Sequence, residues 1–408
     1  MDLSVIATIV TVVAMLTSAL VFPFALKFAR ARNIVDKPDA RKLQRSPVPV
    51  FGGVVVFSGI LMGGIVLQFF IWSEMLDWIL VSIMVMMIIG IWDDIKGLSP
   101  LFRLLIEVLM VGGFVAATGI YIDNFHGLWG LYQLDPWFAI PFSVFAGVGT
   151  INATNMIDGV DGYSSGYAML ACLCFAIAFH TIWTPVMVCL TMIAGGALLP
   201  FFMHNVFGTR SRMFIGDGGT MMLGMFLTAM VFCALSSKVG LSPLEEEGVS
   251  ISAFVLAVGC IPIFDALRVM ITRMVHGKSP LKADKSHLHH LFIDMGFSHL
   301  GAALFILQLN VLVLLAWLLS WYLGASFDVQ TYIVMAMALA VTFGLYGLMR
   351  AQQNGGPVDE EGYPQGTPLW HLLCGLGKWT HKEDKRVWRI IRYIMDYPLL
   401  GHNYRVKR

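Results

Sequence analysis

The chain has 408 residues, of which 57% are hydrophobic and only 13% charged, with a formal net charge of +1. Soluble globular proteins carry about 25% charged residues, so this composition excludes an ordinary water-soluble fold. The near-zero net charge excludes the strongly basic balance of a nucleic-acid binder, and nucleic acid is not among the expected partners.

A membrane-crossing helix needs roughly 20 mostly apolar residues. In chain order, such stretches are expected near 3–26, 50–71, 76–92, 101–120, 136–153, 164–182, 185–203, 217–236, 250–272, 300–323 and 329–349. The fold class is therefore all-α, a polytopic integral membrane protein with about eleven transmembrane helices. The first stretch lacks a basic leader and a small-residue cleavage site, and reads as a retained span. The fifth holds Pro141 and several glycines, an irregularity expected where a span lines a polar cavity. Of the six cysteines, Cys172, Cys174, Cys189, Cys233 and Cys260 lie in apolar runs and Cys374 follows them, with no CxxC pair or zinc spacing. They read as small buried hydrophobes.

Alternate loops hold nearly all the Lys and Arg: Lys27 to Arg45, Lys96 and Arg103, Arg210 and Arg212, and Arg273 to Lys285. The opposite loops carry Lys238 and the acidic run Glu245, Glu246, Glu247. The positive-inside rule then predicts a periplasmic N-terminus and a cytoplasmic C-terminus. Residues 1–349 form the expected transmembrane catalytic domain and 350–408 a basic cytoplasmic tail. That tail opens with a Gly/Pro/acidic linker (Asn354 to Pro368) and continues into Lys382–Arg392. It reads either as a solvated appendage or as a basic helix on an anionic lipid leaflet.

The dense polar motifs fall in the basic loops. Asp93-Asp94 stands at the end of the third span, where paired carboxylates are costly unless a cation or headgroup uses them. Asn155, Asp158 and Asp161 follow at steps of three, which on a helical turn would share one face. Helix capping by Asp161 or Ser164 is the competing reading for one of them. Gly216-Asp217-Gly218-Gly219 opens the eighth span, where glycines permit close approach and amides favour a phosphate; Asp217 could instead cap the helix. Arg273 leads to Asp284, His287, His289 and His290 among basic residues. That cluster suits hydrogen bonding to an anionic phosphate or nucleotide. The first basic loop, with Asp36, Lys42 and Phe51-Gly52-Gly53, is expected to be ordered.

Together these motifs resemble the polyprenyl-phosphate N-acetylhexosamine-1-phosphate transferases, in the family's order from about residue 35 to 299. The match is closest to the branch that uses GlcNAc, since His287-Leu288-His289-His290 departs from the three adjacent histidines of the related peptidoglycan branch. The resemblance does not clearly cover residues 350–408. It implies transfer of GlcNAc-1-phosphate from UDP-GlcNAc to undecaprenyl phosphate, with release of UMP, on the cytoplasmic face of the bacterial inner membrane. That is the first step of lipid-linked surface glycan (lipopolysaccharide O-antigen type) synthesis. Mg²⁺ or Mn²⁺ is the implied cofactor, the lipid bilayer a partner, and a homodimer stays open. By the same resemblance, Asp217 is the metal ligand, assisted by Asp94, and Asp93 orients or deprotonates the lipid phosphate. Asp36, Lys42, Asn155, Asp158, Asp161, Arg273, Asp284, His287, His289 and His290 bind substrate. Direct displacement is preferred to a covalent intermediate, because no uniquely activated nucleophile stands out. The alternatives are the same chemistry on another UDP-sugar, or a polyprenyl-lipid transporter.

Overall fold

The computed structural model describes residues 2–36, 47–280, 285–355, 367–380 and 385–396. Lys42 and Asp284 lie outside the described residues. Among the described residues, 11 helices are long and apolar enough to cross a membrane. Eight come first: α1 (Leu3–Ala31), α2 (Gly52–Phe70), α3 (Glu74–Lys96), α4 (Pro100–Thr118), α5 (Pro136–Met156), α6 (Tyr163–Thr181), α7 (Pro185–Phe207) and α8 (Gly216–Leu235). After the short α9 (Pro243–Glu246) come α10 (Ile251–Val275), α11 (Leu288–Asp294) and α12 (His299–Tyr322). The last span joins α13 (Phe327–Leu339) through a π-helical stretch, Ala340–Leu345, to α14 (Tyr346–Gly355). Helices α15 (Pro368–Thr380) and α16 (Lys385–Asp396) follow, and two short strands, β1 (Val35–Asp36) and β2 (Val48–Pro49), pair antiparallel.

Span boundaries follow local chemistry. Ser73, Ser99, Ser250, Ser298 and Ser326 each accept an amide at the start of α3, α4, α10, α12 and α13, the usual role of a serine at that position. Helices α4, α5 and α7 carry proline in the first turn, where its missing N–H costs nothing. The fifth span is not broken as expected: α5 runs unbroken with Pro141 inside it. Pro141 falls just beyond the first turn, so few amide bonds are lost.

The described chain divides into two compact units. Unit 1 comprises Met1–Asp123, Asp135–Leu241 and Asp384–Arg408. Its core is α8, buried almost throughout and packed by α2, α3 and α5. The α8 sequence is rich in Gly, Ala, Thr and Met, small or pliable residues that let neighbouring helices come close. Around it, α1 packs on α2 and α7, α6 on α7, and α4 on α5. Unit 2 comprises Asn124–Leu134 and Ser242–Glu383. There α10, α12 and α13 pack against one another, and α11 lies against α12 and α14.

Candidate active site

The acidic motifs of unit 1 meet at the first turn of α8. Glycine makes this approach possible. A Cβ on Gly90 of α3 would lie 2.5 Å from the Asp217 carbonyl carbon and 2.5 Å from Gly218 Cα, so only glycine lets α3 and the α8 turn touch. Asp94 stands one turn further along the same face of α3. Its carboxylate accepts the amides of Asp217 (3.0 Å) and Gly218 (3.2 Å). Asp94 thus caps α8 from another helix, satisfying donors that an isolated helix end leaves open. Asp217 is therefore not the cap; it occupies the first turn itself, beside Asp94. Gly216 has φ +74°, and a Cβ there would sit 2.6 Å from Asp94 Oδ2.

Asn155, the penultimate residue of α5, donates to Asp217 Oδ1 and Thr220 Oγ1, both at 2.7 Å. It fixes the orientation of the Asp217 carboxylate. The spacing of three does not place Asp158 and Asp161 on a helical face with it, because α5 ends at Met156 and both acids lie in the turn before α6. Nor does Asp161 or Ser164 cap α6. The capping position is Gly162, with φ +79°, and makes no side-chain bond to the helix. Ser164 instead donates to Asp158 (2.6 Å), and Asp161 forms an ion pair with Arg212. Crowding by surrounding atoms, and then the carboxylates of Asp217, Asp161 and Asp36, raise the Asp158 carboxyl towards about 7; the Ser164 bond opposes this. The residue keeps solvent access, which tempers the shift. Asp36 stands in β1, whose partner β2 is pinned to the α8 approach: Phe214 N–H donates to the Pro49 carbonyl at 2.9 Å. The amides of Gly52 and Gly53 bond the carbonyls of Phe214 and Ile215, each at 2.9 Å. The described ends of the first loop are thus ordered, as expected.

Asp93 is placed differently from Asp94. It accepts the Leu98 amide at 2.6 Å and lies 3.5 Å from Arg103. Arg103 continues to Glu107 (3.5 Å) and Asn152 (3.4 Å), and Asn152 also bonds Glu107. The sequence reading missed this chain. Its signal was Glu107, an acid within a span, which must be partnered to be tolerated there.

In unit 2 the histidine motif is anchored by Asp265, a buried acid of α10. Asp265 pairs with Arg268 at 2.6 Å, His287 Nδ1 lies 3.0 Å from its Oδ2, and the Leu288 amide donates to the same oxygen at 3.2 Å. Arg268 also bonds the Ser286 carbonyl at 2.6 Å and lies over the Tyr346 ring, 3.6 Å from its centroid. His287 and His289 stack in parallel, 5.6 Å apart, and His290 lies 4.4 Å from His289. Burial first, then the neighbouring imidazoles, lower His289 far below the ordinary histidine range and His290 to about 4. Both are neutral at physiological pH, so each offers one donor and one acceptor, not a positive charge. Arg273 is buried and donates to the Pro280 carbonyl at 2.6 Å.

The donor set bears on the expected metal. Among the described residues no group of three or more His, Cys, Asp or Glu side chains is arranged to hold a metal ion by itself. Asp94 and Asp217 form a pair of hard oxygen donors at a helix N-terminus. That pair fits Mg²⁺ or Mn²⁺, which typically takes one or two carboxylates and completes its shell with water and substrate phosphate.

Residues 77–235 match the glycosyl transferase family 4 pattern. That stretch runs from α3 to the end of α8 and contains each acidic motif of unit 1 except Asp36. A Bacillus subtilis (strain 168) relative, named as a probable undecaprenyl-phosphate N-acetylglucosaminyl 1-phosphate transferase, is 30% identical over 74% of this chain and 83% of its own length. The chain belongs to glycosyl transferase family 4. It is an enzyme, a multi-pass membrane phosphotransferase. Two further family relatives are the Escherichia coli (strain K12) undecaprenyl-phosphate alpha-N-acetylglucosaminyl 1-phosphate transferase and the Mycolicibacterium smegmatis decaprenyl-phosphate N-acetylglucosaminephosphotransferase. The first is 29% identical over 85% of this chain and 91% of its own. The second is 27% identical over 83% and 89%. Membership sets aside the transporter alternative.

Proposed function

We propose that this family 4 enzyme transfers GlcNAc-1-phosphate from UDP-GlcNAc to undecaprenyl phosphate, giving undecaprenyl-pyrophosphate-GlcNAc and UMP. The observation that carries this reading is the convergence of Asp94, Asn155 and Asp217 on the first turn of α8, joined to relatives whose names specify this type of transfer. The Lys/Arg asymmetry of the loops supports a cytoplasmic site in the bacterial inner membrane, with the N-terminus periplasmic. A polyprenyl acceptor and a nucleotide-sugar donor fit the first step of lipid-linked surface glycan synthesis of the O-antigen type.

In the reaction, a lipid-phosphate oxygen attacks the β-phosphorus of UDP-GlcNAc. The new pyrophosphate bond forms as the bond to the UMP oxygen breaks, and total charge is conserved when the attacking phosphate is a dianion. Such a monoester has its second pKa near 6, so no strong base is required and direct displacement suffices. The barrier lies in aligning two anions and neutralising them. Asp94 and Asp217 would hold Mg²⁺ or Mn²⁺, which supplies Lewis-acid neutralisation of the diphosphate oxygens. Asn155 keeps the Asp217 carboxylate aimed. Amides at the α8 N-terminus contribute positive potential. Asp93, which holds the Leu98 amide, sets the loop that Arg103 follows and orients the lipid phosphate through it. Asp36, Asp158 and Asp161 in unit 1 bind the donor.

The test is UMP release by the purified full chain with undecaprenyl phosphate and Mg²⁺, supplied in parallel with UDP-GlcNAc, UDP-GalNAc or UDP-MurNAc-pentapeptide. UDP-GlcNAc is expected to turn over fastest. A faster rate with another donor would reassign the substrate. Folded protein without turnover on any donor would overturn the transfer reading, and a GlcNAc-1-phosphoryl group trapped on the carboxylate of Asp93 or Asp94 after UDP-GlcNAc alone would replace direct displacement.

A further inference from the structure

The C-terminal tail was expected either to be solvated or to lie on lipid, yet α16 ends inside unit 1. Asp396, its last residue, is only 7% exposed. Its carboxylate accepts the Ser211 amide and hydroxyl, both at 2.9 Å, the Arg210 amide at 3.1 Å, the Thr209 amide at 3.3 Å and the Thr209 hydroxyl. Three successive amides and two hydroxyls therefore close on one acid, in the loop between α7 and α8. Burial works against ionisation of Asp396, but the bonds from Thr209, Ser211 and Arg210 outweigh it and hold the carboxyl below its ordinary range.

What this loop carries gives the contact its meaning. Arg212, the next residue, pairs with Asp161. Asn205, at the end of α7, donates to the Met213 carbonyl at 3.0 Å and accepts the Gly162 amide at 2.8 Å. One amide side chain thus joins this loop to the Asp161-Gly162 turn. Phe214 and Ile215 are bonded to the strand-and-glycine segment 49–53, and Gly216-Asp217 follows directly. The loop is a junction between the Asp161-Gly162 turn, the segment 49–53 beside β1, and the Gly216-Asp217 turn, and Asp396 clamps its residues Thr209, Arg210 and Ser211.

We infer that Asp396 is a positioning residue for phosphoryl transfer: α16 clamps the α7–α8 loop and thereby sets the Arg212–Asp161 pair and the Gly216-Asp217 turn. The kinetic part of this inference rests on the proposed transfer reaction; the mechanical part does not. Replacing an acid that accepts from five donors leaves those donors poorly matched. Because the acid lies outside the reacting groups, the effect reaches chemistry only through the loop, as with outer-shell partners of metal ligands.

The experiment compares wild type with Asp396→Asn in the full chain, by hydrogen–deuterium exchange and by steady-state kinetics. Exchange is expected to rise not only at 209–211 but also at 161–163 and 213–217. The KM for UDP-GlcNAc should rise roughly tenfold, with the KM for undecaprenyl phosphate changed less than about twofold. Ser211→Ala, which removes one hydroxyl donor and leaves the amides, should give the same pattern at smaller size, and serves if Asp396→Asn does not fold. Increased exchange confined to 209–211 and the C-terminus would overturn the inference, as would an unchanged donor KM in an active enzyme. If wild type releases no UMP, the transfer reading fails and the exchange pattern alone decides the clamp.

Discussion

Asp94 and Asp265 perform the same local task in different units. Each reaches from one helix to accept amides at the start of another, Asp94 at α8 and Asp265 at α11. Their surroundings diverge. Asp265 is buried, paired with Arg268 and bonded by His287. Asp94 is exposed and stands beside a second acid, Asp217. A capping acid with its own protein counter-charge is a structural tie. A capping acid beside another acid is an arrangement that a divalent cation and an incoming diphosphate would stabilise. The comparison assigns chemistry to the carboxylate end of unit 1 and scaffolding to the Asp265 knot of unit 2.

Substitutions can break that contrast. The largest effect is expected at Asp94. Asp94→Asn should slow UMP release by roughly 10²–10³-fold, the scale on which removal of one electrostatic group is felt, with the melting temperature nearly preserved. A variant that melts early and retains its rate per folded molecule would make Asp94 another structural tie. Next, Asp265→Ala should cost about 3–5 kcal/mol of stability, because it leaves Arg268 buried without its partner. Denaturation of the purified chain measures this. The double variant Asp265→Leu with Arg268→Met should lose less than the single one, and equal losses would show that the ion pair is not what ties α10 to the histidine turn. Gly216→Ala should be smaller, about 1–2 kcal/mol for the left-handed backbone plus the crowding of Asp94, and should lower activity and thermal stability together.

The smallest effects are the most discriminating, because the two units should respond to pH in opposite senses. Asp158 has its pKa raised on folding, so it favours the folded state below about 4 and that contribution is lost as pH rises through about 7. Asp158→Asn should therefore flatten the fall in melting temperature across that window. His290 has its pKa lowered from 6.5 to about 4, so its contribution is present above 6.5 and is lost as pH falls towards 4. His290→Gln should flatten the acid side only. Identical pH profiles for the two variants would remove the distinction between the carboxylate and imidazole sites.

The spans were legible because twenty apolar residues have no other use, and all eleven expected stretches coincide with helices within a few residues. Acidic motifs were legible as clusters because charge at a membrane edge is costly. Their geometry was not. The spacing of Asn155, Asp158 and Asp161 reads as one helical face, but a turn intervenes, and capping is read from neighbours in sequence whereas Asp94 caps α8 from 123 residues away. Asp265 and Arg268 were visible as intramembrane charges, yet nothing in their local sequence points to His287. Asp396 was least legible. It is the single acid in the basic stretch from Lys385 to Arg408, and its partners lie some 185 residues earlier.

The central claim is that the Asp94–Asp217 pair in unit 1 carries a divalent-dependent transfer. Its most direct test is the Mg²⁺ dependence of UMP release from UDP-GlcNAc by wild type and Asp217→Asn, each checked for folding. Wild-type rates should saturate with Mg²⁺ and vanish under chelation, whereas Asp217→Asn should stay at least about 100-fold slower at every Mg²⁺ concentration. A folded Asp217→Asn enzyme turning over at wild-type rates with the same Mg²⁺ dependence would contradict the account.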